Sequence, residues 1–270
     1  MKLGCGTLLY GAYSLERALD GIRDAGFDAI ELDALGGMAD HLQPGHDDAH
    51  YAAVRQAIEA RGLAVESIGA STNLLNPEAR ARFIALMEVA PKVGAPFLTT
   101  GSGGKSNDEA SFEAVLAVFR EELIPAVERT GTRLSIKPHV GSAAFNTGTA
   151  LRFMAELDTD AVRLNFDSSH IYRAHEDPVT SIRALAAYIG TGRIRDMFTR
   201  DIQGPGPVEK QIPGHGNLDL RGIANEFKQV PGLEYVTLEI VGAKQEGLSE
   251  AQVDAVVTES CRNLRAAFAA

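Results

Sequence analysis

The feature that most constrains this chain is a unit of strand followed by helix that recurs eight times. Strand-like runs lie at Leu3–Thr7, Asp28–Asp33, Val65–Gly69, Phe97–Thr100, Arg133–Lys137, Leu164–Asp167, Arg193–Phe198 and Tyr235–Glu239. Each is followed by a stretch with helical spacing of its apolar residues. After the first strand, Leu15, Ala18, Leu19, Ile22 and Ala25 share one face, with Ser14 placed to cap the helix and Gly26 to stop it. Further helices are expected over 47–60, 76–93, 110–128, 149–157, 178–188, 219–227 and 249–268. A unit of roughly thirty to forty residues leaves room for a crossover helix between parallel strands. Eight such units suit a closed (β/α)8 TIM barrel better than an open sheet. No Gly-x-Gly-x-x-Gly follows the first strand, which weakens a dinucleotide-binding alternative. No linker interrupts the pattern, so residues 1–270 are expected to form one domain.

In a barrel of this kind chemistry gathers at the C-terminal ends of the strands. The second strand ends in carboxylates, and three later strands also end in charge. Arg-Leu-Ser-Ile-Lys runs into Pro138 and His139, Leu-Asn-Phe-Asp into Ser168, Ser169 and His170, and Tyr-Val-Thr-Leu-Glu into Ile240. An apolar strand that finishes on a charge is costly unless the ends meet in a polar site. For one strand, emergence into water is explanation enough; the repetition favours a shared site at Lys137, Asp167 and Glu239. Alternation places Lys137 and His139 on the inward side, and likewise Asp196, Phe198 and Arg200.

The formal charge of −10, without a long block of one sign, argues against nucleic acid and anionic membrane as partners. A small phosphorylated molecule needs only a local cation or a ring of amides and stays open. Cys5 and Cys261 lie far apart and in no metal-type spacing, which points to a reduced, cytoplasmic setting. The opening residues carry no apolar segment of signal-peptide length, and no run approaches ~18 apolar residues, so a soluble protein is expected.

The order of strand-end motifs resembles the sugar phosphate isomerase/epimerase family of xylose isomerase-like TIM barrels. The resemblance rests on Ala-Gly-Phe-Asp-Ala-Ile-Glu-Leu at 25–32, Asn-Phe-Asp-Ser-Ser-His at 165–170, Pro-Gly-His-Gly-Asn-Leu-Asp at 213–219, and Leu238-Glu239. It implies a divalent metal, Mn or Zn, held by Glu, Asp, His and Glu at strand ends, with the two glutamates as the acid/base pair. By position, the Asp is Asp167 and the last Glu is Glu239. The first Glu falls on Lys137 and the His on Phe198. An ammonium repels a cation and a phenyl ring has no lone pair to offer. The metal is therefore disfavoured; a rebuilt site of Asp167, Glu239 and His139 is the alternative.

The resemblance implies an isomerase or epimerase of a small sugar-like carbonyl compound. Glu239 would take the proton beside the carbonyl, Lys137 would stabilise the enediolate, and Asp167 would orient Lys137 or a substrate hydroxyl. His139, His170, Arg200 and His215 are the expected substrate contacts. Competing readings are a carbohydrate-binding or regulatory barrel without chemistry, in which Lys137 is only a buried lysine between two carboxylates, and a lysine-dependent lyase. The last needs a depressed lysine pKa, which neighbouring carboxylates oppose. Gly101–Gly104 offers either an amide nest for phosphate or a plain loop, and assembly into a homo-oligomer is left open.

Overall fold

The computed structural model describes residues 1–269. Eight parallel strands close on themselves: β1 (Lys2–Gly6), β2 (Ala29–Leu35), β4 (Ala64–Gly69), β5 (Phe97–Gly101), β6 (Arg133–Lys137), β7 (Val162–Asp167), β8 (Ile189–Ile194) and β9 (Tyr235–Leu238), with β9 pairing back onto β1. A short strand, β3 (Ala39–Asp40), pairs antiparallel with the end of β2. The expected closed barrel is therefore what forms.

Period-two alternation sorts the side chains of each strand. Leu3, Cys5, Ile30, Leu32, Leu134, Ile136, Leu164, Phe166, Val236 and Leu238 are fully buried in the apolar core. Each such side chain contributes about 1.5–3 kcal/mol by leaving water. Phe166 meets Phe227 edge to face with centroids 5.7 Å apart, and Gly192 of β8 gives that ring its space: a Cβ there would lie 3.0 Å from it. The residues between them face inward and are mostly polar: Glu31, Ser67, Thr99, Ser135, Asn165, Thr191, Arg193 and Thr237 are all buried. Buried polar groups need partners, and these find one another, as where Ser135 Oγ and Thr191 Oγ1 sit 2.8 Å apart.

The helices are α1 (Leu15–Ala25), α2 (Asp48–Glu59), α3 (Pro77–Val93), α4 (Glu109–Val118), α5 (Ile124–Thr130), α6 (Thr147–Leu157), α7 (Ser168–Arg173), α8 (Pro178–Leu185), α9 (Val208–Gln211), α10 (Leu220–Phe227) and α11 (Glu250–Ala269). Ser14 Oγ accepts from Arg17 N, and Gly26 ends α1 at φ +92°, a conformation that favours glycine. The single helix expected over 110–128 is broken by a π-helical turn at Phe119–Leu123, just before Pro125, whose nitrogen has no proton to donate. The short helices α7 and α9 were not evident from periodicity. No helix among the described residues is long and apolar enough to cross a membrane.

One strand departs from expectation. β8 spans Ile189–Ile194, not 193–198. The sequence Ile-Gly-Thr-Gly-Arg-Ile hid the strand start because two glycines dilute its apolar signal. The inward residues near its end are consequently Arg193 and Arg195.

Candidate active site

Lys137 is the last residue of β6, and Pro138 halts the strand directly after it. Its Nζ donates to both carboxylate oxygens of Glu239, at 2.7 and 2.6 Å, and lies 3.1 Å from Asp167 Oδ2. Burial opposes the ammonium, but Glu239 and Asp167 outweigh it and Lys137 is raised above the ordinary lysine value. Burial would likewise push Asp167 up. The charge of Lys137, with Arg195 and a hydrogen bond from Ser169, prevails and holds its carboxyl well below the usual carboxylate range. Lys137, Asp167 and Glu239 thus share one site.

A second cation supports this one from below. Arg193 forks onto Glu31, Nη2 to Oε1 at 2.5 Å and Nε to Oε2 at 3.1 Å, while its Nη1 lies 2.9 Å from Glu66 Oε1. Its Nε is 3.6 Å from Glu239 Oε2, which links the two clusters. The carboxylates sharing Arg193 differ. Burial would raise Glu31, but Arg193 and Lys137 hold it low; burial raises Glu66, with Arg193 offsetting only part of the effect. Asp33, also buried beside them, is pushed well above the carboxylate range by burial and by Glu31 and Glu239. Arg193, Glu31 and Glu66 were missed in the sequence. Glu31 carried a usable signal, since the second strand also ends in carboxylates.

His139 and His170 stack with ring centroids 3.9 Å apart. His139 donates from Nδ1 to the Val140 carbonyl at 2.8 Å, and burial with the Lys137 charge lowers its pKa to about 4. Burial keeps His170 well below the ordinary histidine value. At neutral pH the pair presents two uncharged rings to the cavity.

The chain beyond β8 runs differently from the expected alternation. Arg195 is buried and faces the mouth: its Nε donates to Ser169 Oγ at 2.9 Å, its Nη1 lies 3.4 Å from both Gln211 Oε1 and the Glu239 carbonyl, and its Nη2 is 3.4 Å from His170 Nε2. Asp196 instead ties down the following loop, accepting from the backbone amides of Met197, Gly214 and Leu218. This explains the Pro-Gly-His-Gly stretch: a Cβ on Gly216 would lie 2.2 Å from Asp196 Oδ1. His215 turns away from the mouth to Glu259 of α11, at 3.1 Å, and Arg200 lies over the Tyr172 ring at 4.4 Å. Neither lines the cavity, and Phe198 packs near Gly206 outside it. Those placements correct the expected positions of His215, Arg200 and Phe198; Arg195 and Arg173 stand at the mouth in their stead.

The cavity over these residues measures about 570 Å³, with Glu31, Lys137, His139, Asn165, Arg195 and Glu239 in its wall. The segment Gln203–Pro205 and Met38 border it from the loops. A volume of this order matches pockets for small molecules. The donor set does not fit a divalent metal. The ammonium of Lys137 already lies between Asp167 and Glu239, and His139 spends Nδ1 on a carbonyl. Among the described residues no three His, Cys, Asp or Glu side chains converge to hold a metal ion, so the alternative triad of Asp167, Glu239 and His139 does not assemble.

A closed parallel barrel with a charged, concave mouth is the architecture of a (β/α)8 barrel. Residues 19–266 match the model of the xylose isomerase-like TIM barrel family, and the chain belongs to it. Among solved structures, the IolI protein with a bound zinc atom is 17% identical, with 100% of this chain and 98% of that one covered at TM-score 0.80. D-psicose 3-epimerase from Clostridium cellulolyticum H10, solved with D-tagatose, is 15% identical at TM-score 0.77, covering 99% of both chains. The probable 3-DHS dehydratase AsbF of Bacillus anthracis is 16% identical at TM-score 0.77, covering 95% of this chain and 97% of that one. At these identities the likeness establishes the fold alone. No curated protein sequence matches significantly.

Proposed function

We propose that this protein is an isomerase or epimerase of a small sugar or related polyhydroxy carbonyl compound, moving a proton at the carbon beside the carbonyl. The observation that carries the reading is the Lys137 ammonium, bound by Glu239 and Asp167 at the floor of the cavity. An ammonium has three protons to donate. A substrate carbonyl oxygen can take the one directed at Glu239 Oε1 while Asp167 keeps Lys137 in place. Glu239 is then released to accept the proton from the neighbouring carbon, and negative charge develops on oxygen beside Lys137. Return of the proton to the other face, or to the adjacent carbon, completes epimerisation or isomerisation with no net redox change.

The names of similar structures, 3-epimerases and a dehydratase, agree with chemistry of this kind. The raised pKa of Lys137 argues against a Schiff-base nucleophile, which must lose its proton to attack. The test is incubation in D2O with a panel of ketopentoses, ketohexoses and their acidic derivatives. Deuterium should enter beside the carbonyl of the true substrate. Glu239→Gln, which keeps the shape and removes the acceptor, should lower the exchange rate by about 10²–10⁴-fold. Tight binding without exchange across the panel, with Glu239→Gln altering affinity alone, would make this a binding protein.

A further inference from the structure

We infer that the substrate carries an anionic group, a carboxylate or a phosphate, which Arg173 and Arg195 hold at the rim while the carbonyl lies at Lys137.

The charges around the cavity divide into a satisfied set and an unsatisfied set. Arg193 is spread over Glu31 and Glu66, and Lys137 over Asp167 and Glu239. Asp33, the remaining acid in the wall, accepts from Leu8 N and Thr7 Oγ1. Arg173 and Arg195 also line the cavity, yet neither forms an ion pair with any carboxylate among the described residues. Arg195 is only 2% exposed, and a guanidinium so buried is costly without a carboxylate in contact; Asp167 acts on it only at longer range. Its contacts are all to neutral groups: the Ser169 hydroxyl, the Gln211 amide oxygen, the Glu239 carbonyl and the His170 ring.

Arg173 is less satisfied still. It projects from the end of α7, its Nη2 donates to the Ile202 carbonyl at 3.2 Å, and its Nε is buried with no partner. Burial first, then the Arg195 charge, lowers Arg173, and the Asp167 carboxylate offsets only part of this. Each guanidinium carries a fork of N–H donors that suits a planar carboxylate or a phosphate, and both line the same cavity. An anion between them removes the repulsion and supplies the missing acceptors. A neutral polyol offers hydroxyl acceptors but no counter-charge.

This assignment rests on the proposed function only in placing the carbonyl at Lys137; the anion site stands on the two arginines. Calorimetry on the full chain with inorganic phosphate and with glycerate, against glycerol as the neutral control, tests it directly. Either or both anions should bind, and glycerol should not bind measurably at the same concentration. Arg173→Gln should weaken anion binding by roughly 10- to 100-fold, the range of a lost charge-assisted hydrogen bond. Arg195→Gln should do the same. If that variant misfolds, Arg173→Gln still decides, since Arg173 makes a single hydrogen bond within the protein. Preference for phosphate or for glycerate tells a sugar phosphate from a sugar acid. Equal binding of glycerol and the anions, or anion affinities unchanged in Arg173→Gln, overturns the inference. Deuterium exchange with a neutral ketose would overturn it while leaving the proposed function standing. Arginine-dependent anion binding without any exchange would do the reverse.

Discussion

Replacing Lys137 by methionine removes the charge while roughly keeping the side-chain length, and its cost can be worked from the burial of the groups left behind. The Asp167 side chain is 1% exposed and that of Glu239 16%, against 11% for Lys137. Taking one partner from such a buried cluster costs about 3–5 kcal/mol, because the remaining charges cannot reach water. For a chain of this size each kcal/mol moves the melting temperature by about 2–4 °C, so a loss of roughly 6–20 °C is expected. The pH dependence has a definite sign. In the native protein Asp167 is held low, so its stabilisation is complete above the unfolded value near ~4 and fades only as pH falls through the folded value. In Lys137→Met the leading opposing charge is gone and burial raises Asp167. The variant's deficit is therefore greatest at neutral pH and narrows on acidification toward about pH 4–5. Urea denaturation of both proteins across that range measures the gap. A variant as stable as the native protein at neutral pH, or a gap that does not change with pH, would refute the reasoning.

Arg193→Met should cost about as much, since it strands Glu31 and Glu66; Arg193→Lys should recover only part of the loss, because an ammonium cannot reproduce the fork onto Glu31. Denaturant midpoints of the two variants check both statements. His139, with a pKa lowered to about 4, should show no imidazole titration by NMR between roughly pH 5.5 and 8. Its folded value lies below the unfolded one, so it contributes a loss of stability as pH falls from about 6.5 to about 4; a midpoint above ~6 would contradict the packing against His170 and Lys137.

The barrel was legible in the sequence because its signal is long-range and redundant. Eight strand–helix units tolerate an error in any one of them, and the caps at Ser14 and Asn76 and the stop at Gly26 agree with the periodicity. The meeting of Lys137, Asp167 and Glu239 was legible for a related reason: a charge at the end of an apolar strand is conspicuous. Arg193 and Arg195 were not, because reading β8 from residue 193 instead of 189 shifted attention to Asp196, Phe198 and Arg200. Inward-facing order ends with Arg195, one residue past the strand. Beyond it the chain follows the hydrogen bonds of Asp196 rather than any period, and that local knot turns His215 toward α11. Nothing in spacing announces such a turn. Arg173 was hidden differently, at the end of a helix too short to have an apolar stripe of its own.

The interior polarity of this barrel follows from what replaced the expected ligand. In the pattern the sequence resembles, a carboxylate stands where Lys137 is, and a divalent cation balances the cluster. With lysine there, one positive charge must serve Asp167 and Glu239, and the ammonium reaches only the mouth. Glu31 and Glu66 pair with Arg193, and the Lys137 charge adds to its hold on Glu31. The Arg193 contact with Glu239 at 3.6 Å then lets the two cations share that carboxylate. In the proposed reaction, a Glu239 also held from the Arg193 side keeps its orientation when a substrate oxygen takes one of the Lys137 protons. The proposed role of Glu239 as base sets that requirement, because proton transfer from carbon tolerates little misplacement. Arg195 takes no part in that sharing, since it meets only the backbone carbonyl of Glu239, and it is this guanidinium that the proposed anion would engage.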